Sequence, residues 1–183
     1  MTDPSHAGLN AYALTRGGYF ADFVTMPLGA AALVAGELLI RGPGLAFALA
    51  VLAGWILWTA FEYALHRWLF HSATSFGRAH HVHHVRPAAL IGVASWYTLA
   101  IFAALYAALV LLAGWSTGGG ITLGFVAGYL AYIGIHYAIH HVRIGPGHPL
   151  YAAKLRHLAH HRGADGNYGV IVRWWDAVFR TLR

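Results

Sequence analysis

Fourteen histidines stand in this chain beside only six acidic residues, Asp3, Asp22, Glu37, Glu62, Asp165 and Asp176. Ten of the histidines fall into four boxes. His66 and His71 form H-x-x-x-x-H; His80, His83 and His84 form H-x-x-H-H; His136 and His140 form H-x-x-x-H, followed by His141; His157, His160 and His161 repeat H-x-x-H-H. On an α-helix positions i, i+3 and i+4 share a face, so each H-x-x-H-H aims three imidazoles one way, and His136 points with His140. Neutral imidazole is a ligand for iron, copper, nickel and zinc, and ligand chemistry alone leaves the metal open. Ten imidazoles are too many for one ion; two ions with about half of them each would use the set. The few acids exclude the carboxylate site of ferritin-like bundles, which needs several Glu. With no cysteine, zinc–thiolate sites, iron–sulfur clusters and disulfides are excluded too. A lone histidine is more often a surface or satisfied core residue than a ligand. His6 and His148 are read that way. His81 and His141 adjoin ligands but point elsewhere on their helices, with His141 a candidate to support a ligand from outside.

The elements that must position these boxes are membrane spans. The 183 residues make one domain, and 58% of them are apolar against 10% charged. A soluble domain carries roughly 25% charged residues, so a bilayer must be the solvent for much of this chain. A span needs roughly 20 apolar residues. Four stretches qualify: about 23–40, 45–65, 91–115 and 121–139. The links Arg41-Gly42-Pro43-Gly44 and Ser116-Thr117-Gly118-Gly119-Gly120 are short enough for tight turns, which pairs the spans as two antiparallel hairpins. A re-entrant first span, containing Pro27 and Glu37, is the alternative.

Every Lys and Arg except Arg41 lies in the N-terminal arm, in segment 66–90 or after His140. The positive-inside rule puts those regions, and both termini, in the cytoplasm. The net charge of +6 is therefore read as membrane topology and not as a nucleic-acid surface. No signal peptide is expected, because the N-terminus carries Asp3 and lacks a basic stretch leading into a short apolar core. The expectation is an all-α integral membrane protein: a cytoplasmic arm over residues 1–22, then one domain over 23–183. Four transmembrane helices in two hairpins would carry a cytoplasmic His-rich cap from segments 66–90 and 140–183.

The string Glu62-Tyr63-Ala64-Leu65-His66-Arg67-Trp68-Leu69-Phe70-His71, the two H-x-x-H-H boxes and His136-Tyr137-Ala138-Ile139-His140-His141 resemble the fatty acid hydroxylase / sterol desaturase superfamily. Asn167-Tyr168-Gly169 and the closing Trp174-Trp175-Asp176-Ala177-Val178-Phe179-Arg180-Thr181 extend the likeness to the end of the chain. The resemblance implies two iron ions that activate dioxygen, with zinc their expected substitute in purified material. It implies oxidation of a lipid C–H bond and electrons from a separate ferredoxin- or cytochrome-type donor. The branch it resembles most is the fatty acid 2-hydroxylases, whose third box H-x-x-x-H-H matches His136–His141. Sterol or carotenoid hydroxylases and desaturases are the alternative branches; the carotenoid enzymes space that box H-x-x-x-x-H. The fused haem-binding domain of some 2-hydroxylases carries H-P-G-G, and this chain has only Gly147-His148-Pro149-Leu150.

Three further residues are candidates to support the ligands. Glu62 lies one turn before His66 and could orient its imidazole. Asn167 could bond a ligand or a metal-bound water. Asp176 could hold a ligand histidine or pair with Arg173 or Arg180. Trp174, Trp175 and Phe179 are expected at the membrane interface. A membrane haem cytochrome would need histidines inside facing helices. A metal transporter would need polar groups at mid-membrane, where this chain has almost none beyond Glu37.

Overall fold

The computed structural model describes residues 12–42 and 44–183. Residues 1–11 of the expected N-terminal arm, with Asp3 and His6, and Pro43 of the first turn lie outside the described residues. The described chain is helical: α1 Arg16–Phe20, α2 Asp22–Ile40, α3 Leu45–Ala64, a π-helical turn Leu65–Phe70, α4 Ser75–Val85, α5 Ser95–Ala113, α6 Trp115–His141, α7 Tyr151–His161 and α8 Trp174–Val178. Four stretches are long and apolar enough to cross a membrane: Arg16–Ile40, Leu45–Phe70, Ser95–Ala113 and Trp115–His141. The chain divides into two compact units.

One unit comprises Phe20–Phe61 and Val93–Tyr132. Its outer surface is apolar, with Leu39 87% exposed and Leu111 86% exposed, a pattern that water would penalise and lipid does not. Its interior is built on glycine. A Cβ at Gly120 would meet Ala50 Cβ at 2.7 Å, one at Gly124 would meet Val51 O at 2.2 Å, and one at Gly128 would meet Trp58 Cδ1 at 2.3 Å. These glycines recur every fourth residue along one face of α6, so its backbone lies directly against α3. Trp58 fills the layer beside them, packing edge-on to Phe125 and Tyr129 and stacked on Phe102. Both acids of α2 are bonded to α6: Tyr129 donates to Asp22 at 2.5 Å, and Ser116 donates to Glu37 at 3.1 Å.

Two span boundaries differ from expectation. Ser116–Gly120, expected as a hairpin link, is the first turn of α6, and the chain reverses at Gly114 with φ 80°. The run Gly118-Gly119-Gly120 reads as a turn, but Gly118 is a packing glycine whose Cβ would meet the backbone of Leu109 at 2.6 Å. Helix α5 begins at Ser95 rather than Ile91, because Ile91 instead forms an antiparallel bridge with Ala13. Pro27 is accommodated within a continuous α2.

The other unit comprises the described residues up to Tyr19, Glu62–Gly92 and Ile133–Arg183. It contains all four histidine boxes. Helix α6 has 27 residues, about 40 Å at 1.5 Å per residue. That exceeds a hydrocarbon core of about 30 Å, so one helix can both span and carry His136 and His140 in its last turns.

Candidate metal centre

Each box sits on an element whose local sequence fixes its orientation. Residues i and i+5 of an α-helix lie about 140° apart around the axis, which would splay His66 and His71. Leu65–Phe70 instead winds as a π-helical turn, whose hydrogen bonds run i to i+5. The two rings come to 5.5 Å, stacked at 24°. Helix α4 starts at Thr74, whose hydroxyl accepts from Gly77 N at 3.2 Å and caps the first turn. Gly77 is required there, since a Cβ would fall 1.8 Å from Ser72 O. This close turn sets α4 against the π-helical turn and so delivers His80, His83 and His84.

The ten boxed histidines gather into two groups of five, the ligand atoms of each within 4.8 Å of one another. The His66 group contains His66, His71, His80, His84 and His160; the His83 group contains His83, His136, His140, His157 and His161. Both H-x-x-H-H boxes are split between the groups. The first gives His80 and His84 to one and His83 to the other. The second gives His160 to one and His157 and His161 to the other. Sharing a helix face, as expected, thus became sharing between two centres. Among the described residues, no carboxylate belongs to either group.

Facing Nε2 atoms stand 3.1 Å apart for His66–His80 and His71–His160, 3.0 Å for His80–His84 and His157–His161, and 2.9 Å for His140–His157. Adjacent imidazole ligands around one ion, with metal–nitrogen bonds of about 2.0–2.1 Å, stand about 3 Å apart. His66 and His160 must use Nδ1–H as donor, because their partners are the carbonyls of Tyr168 at 2.6 Å and Gly166 at 2.9 Å. Their Nε2 atoms therefore carry lone pairs that face other imidazoles, an arrangement a cation satisfies. Nε2 of His83, a residue only 5% exposed, is buried without a hydrogen-bond partner. The residues present therefore fit a metal in each group.

Charge state agrees. Burial, with the neighbouring imidazoles adding to it, holds His83 down to about 3, His84 to about 4 and His161 to about 2. The same causes depress His80 and His157. Burial also lowers His71 and His160. These seven rings are thus kept neutral at physiological pH, the form that ligates. A cavity of about 620 Å³ opens on His71, His80 and His84, with Phe70, Arg78 and His161 also in its wall.

The three candidate supporting residues accept main-chain N–H groups. Glu62, 3% exposed, bonds Val170 N at 2.7 Å; the Nδ1 of His66 is held by Tyr168 O. Asp176, 1% exposed, turns its carboxylate towards the loop that follows α7. It accepts from Tyr168 N, Gly169 N and Thr181 Oγ1 at 2.8–2.9 Å. Asn167 adopts φ 57°, and its Oδ1 accepts from Arg183 N at 3.0 Å. All three brace the loop Gly166–Val170, whose carbonyls hold the histidines. Sequence reasoning missed those carbonyls, since main-chain atoms carry no residue signature; the string Asn167-Tyr168-Gly169 was the available signal. His141 is exposed and lies against Tyr137, with ring centroids 4.5 Å apart. His81 and His148 are exposed as well. Phe179, expected at a membrane interface, stacks on Tyr63 at 5.2 Å, and Arg67 sits beside the same rings.

Membrane-length helices carrying two carboxylate-free histidine groups define a narrow class of helical protein. The fatty acid hydroxylase model matches residues 51–181, and the chain belongs to that family. It is 36% identical over 145 residues to a dihydroceramide fatty acyl 2-hydroxylase of Arabidopsis thaliana, covering 73% of this chain and 60% of the relative. It is 31% identical over 144 residues to the fatty acid 2-hydroxylase of Mus musculus, covering 70% and 38%. The chain thus spans less than two thirds of the length of these relatives. Its fold matches the visible hydroxylase domain of full-length scs7p with a TM-score of 0.74 at 21% identity, over 91% of this chain and 67% of that one. The family read from the boxes is the family found.

Proposed function

We propose that this chain hydroxylates the acyl chain of a membrane lipid at carbon 2. Two iron ions, one in each five-histidine group, would be the cofactor and dioxygen the co-substrate. A separate ferredoxin- or cytochrome-type protein would deliver two electrons. The observation that carries the reading is the pair of carboxylate-free five-histidine groups in a chain whose relatives are fatty acyl 2-hydroxylases. The conversion balances as R–H + O2 + 2 e⁻ + 2 H⁺ giving R–OH + H2O.

Bound iron would supply the activation of dioxygen. The chain's own part is to place and insulate. The carbonyls of Tyr168 and Gly166 fix the tautomers of His66 and His160 and aim their Nε2 atoms. Burial keeps the imidazoles neutral and limits water around the reacting carbon. The cavity beside His71, His80 and His84 gives a lipid's polar end a place next to the His66 group.

The finer architecture belongs to the same proposal. The four long helices pair as two hairpins, the segments 66–90 and 140–183 form a cytoplasmic cap, and both termini are cytoplasmic. Residues 23–183 act as one domain. The segregation of Lys and Arg supports this topology. Ligands at the ends of the second and fourth spans favour attack near the lipid's polar head over mid-chain carbons. The test is expression, with a compatible reductase, in a host lacking 2-hydroxy lipids. Accumulation of 2-hydroxy acyl chains that His84→Ala abolishes is expected. Mid-chain products, or oxidised sterol or carotenoid rings with acyl chains untouched, would overturn the position and substrate assigned.

A further inference from the structure

We infer that Asp176, acting through the loop Gly166–Val170, preorganises the His66 group alone, so that the two ions bind with unequal affinity and the His66 group fills first. The inference rests on the two-metal reading above.

Asp176 is buried, and its carboxylate gathers two main-chain N–H donors, from Tyr168 and Gly169, and the Thr181 hydroxyl. Charge-assisted bonds of this kind are the strong ones. The loop it grips is closely packed on its neighbours. A Cβ on Gly166 would fall 2.1 Å from Thr181 O, and one on Gly169 would fall 2.1 Å from Val172 O. Asn167 N bonds Thr181 O at 2.8 Å, and Glu62 holds Val170 N from α3. The result is a rigid template with two fixed acceptors, Gly166 O and Tyr168 O. They receive the Nδ1–H groups of His160 and His66, two members of one group.

Three of the five histidines of the His83 group lack such an outer bond. Nδ1 of His83, of His157 and of His161 is buried without a hydrogen-bond partner. Packing alone orients those rings, so more of their ordering must accompany ion binding. An outer hydrogen bond to a ligating histidine is worth about 10–100-fold in metal affinity. The template therefore separates two sites that have the same number and type of ligand.

The experiment uses the full chain in lipid nanodiscs, stripped of metal and titrated with Co²⁺ against a competing chelator. Wild type should show two resolved steps. His160→Ala should remove the tighter and His161→Ala the weaker, each read from the Co²⁺ absorption bands. Asp176→Asn should weaken the tighter step about 10–100-fold and leave the weaker one unchanged. A general structural role would weaken both alike. If Asp176→Asn does not fold, Thr181→Val removes one donor and keeps both main-chain bonds; it should give a smaller loss confined to the tighter step. Two ions of one affinity in wild type, or equal weakening of both steps in either variant, would overturn the inference and leave the two-metal reading standing. A single ion in wild type would overturn both.

Discussion

His84 and His161 stack face to face, with ring centroids 4.2 Å apart and planes within 6° of parallel, although they belong to different histidine groups. Each closes one group and walls the other. Such ring pairs contribute about 0.5–1.5 kcal/mol beyond the area they bury. The stack is a direct contact between a member of one group and a member of the other.

Metal content should follow the partition of the boxes. Purified wild type should hold about two ions per chain by elemental analysis, and His83→Ala or His160→Ala should lose at least one. Because of the stack, His84→Ala should also loosen His161. One ion per chain that neither substitution changes would sink the two-metal model.

The pH dependence of the metal-free protein has a definite sign. His83, His84 and His161 are depressed to about 3, 4 and 2, below an unfolded value of about 6.5. The unfolded chain then binds more protons in the window between. Their contribution to stability is complete above about 6.5 and is lost as pH falls through that value towards 4 and 3. Thermal melts of metal-free protein from pH 7.5 to 4.5 should show a falling midpoint. Bound metal, which needs the same neutral rings, should be released over the same range. A flat profile across it contradicts the assignment of buried neutral histidines.

Helix contact within the membrane-length unit should not tolerate a side chain on the glycine face of α6. Gly124→Val puts Cβ 2.2 Å from Val51 O, where backbone must move. Overpacking of this kind costs about 1–3 kcal/mol, so the unfolding midpoint should drop clearly. Gly134→Val, on the same helix with nothing within 4 Å of its Cβ, is the control and should melt close to wild type.

Topology can be read with reporters. A fusion after Arg183 should report from the cytoplasm, and an insertion at Gly114, where the chain turns between α5 and α6, should report from the other side. Gly118 is unsuitable for that insertion, since it packs on Leu109 inside the helix pair. An external C-terminus would separate the histidine groups from an intracellular electron donor and defeat the proposed supply.

Residue type and spacing alone determined that the chain has four membrane-length apolar stretches, that ten histidines fall into four boxes, and that acids are too few for a ferritin-like carboxylate site. Those features are local: apolar length sets the span, and i, i+3, i+4 spacing sets the helix face. Tertiary structure decided the rest. His66 and His71 meet only because their helix widens into a π-helical turn, a choice that i, i+5 spacing hints at but packing enforces. Gly118 and Gly120 carry turn chemistry in sequence, yet Leu109 and Ala50 opposite make them contact points. Which of His80, His83 and His84 joins which group depends on where α6 and α7 bring His136, His157 and His160, residues far away along the chain. Glu62 and Asp176 hold the loop whose carbonyls, at Tyr168 and Gly166, bond the histidines. Main-chain acceptors are the same at every residue, so only the folded loop could show which of them hold a ligand.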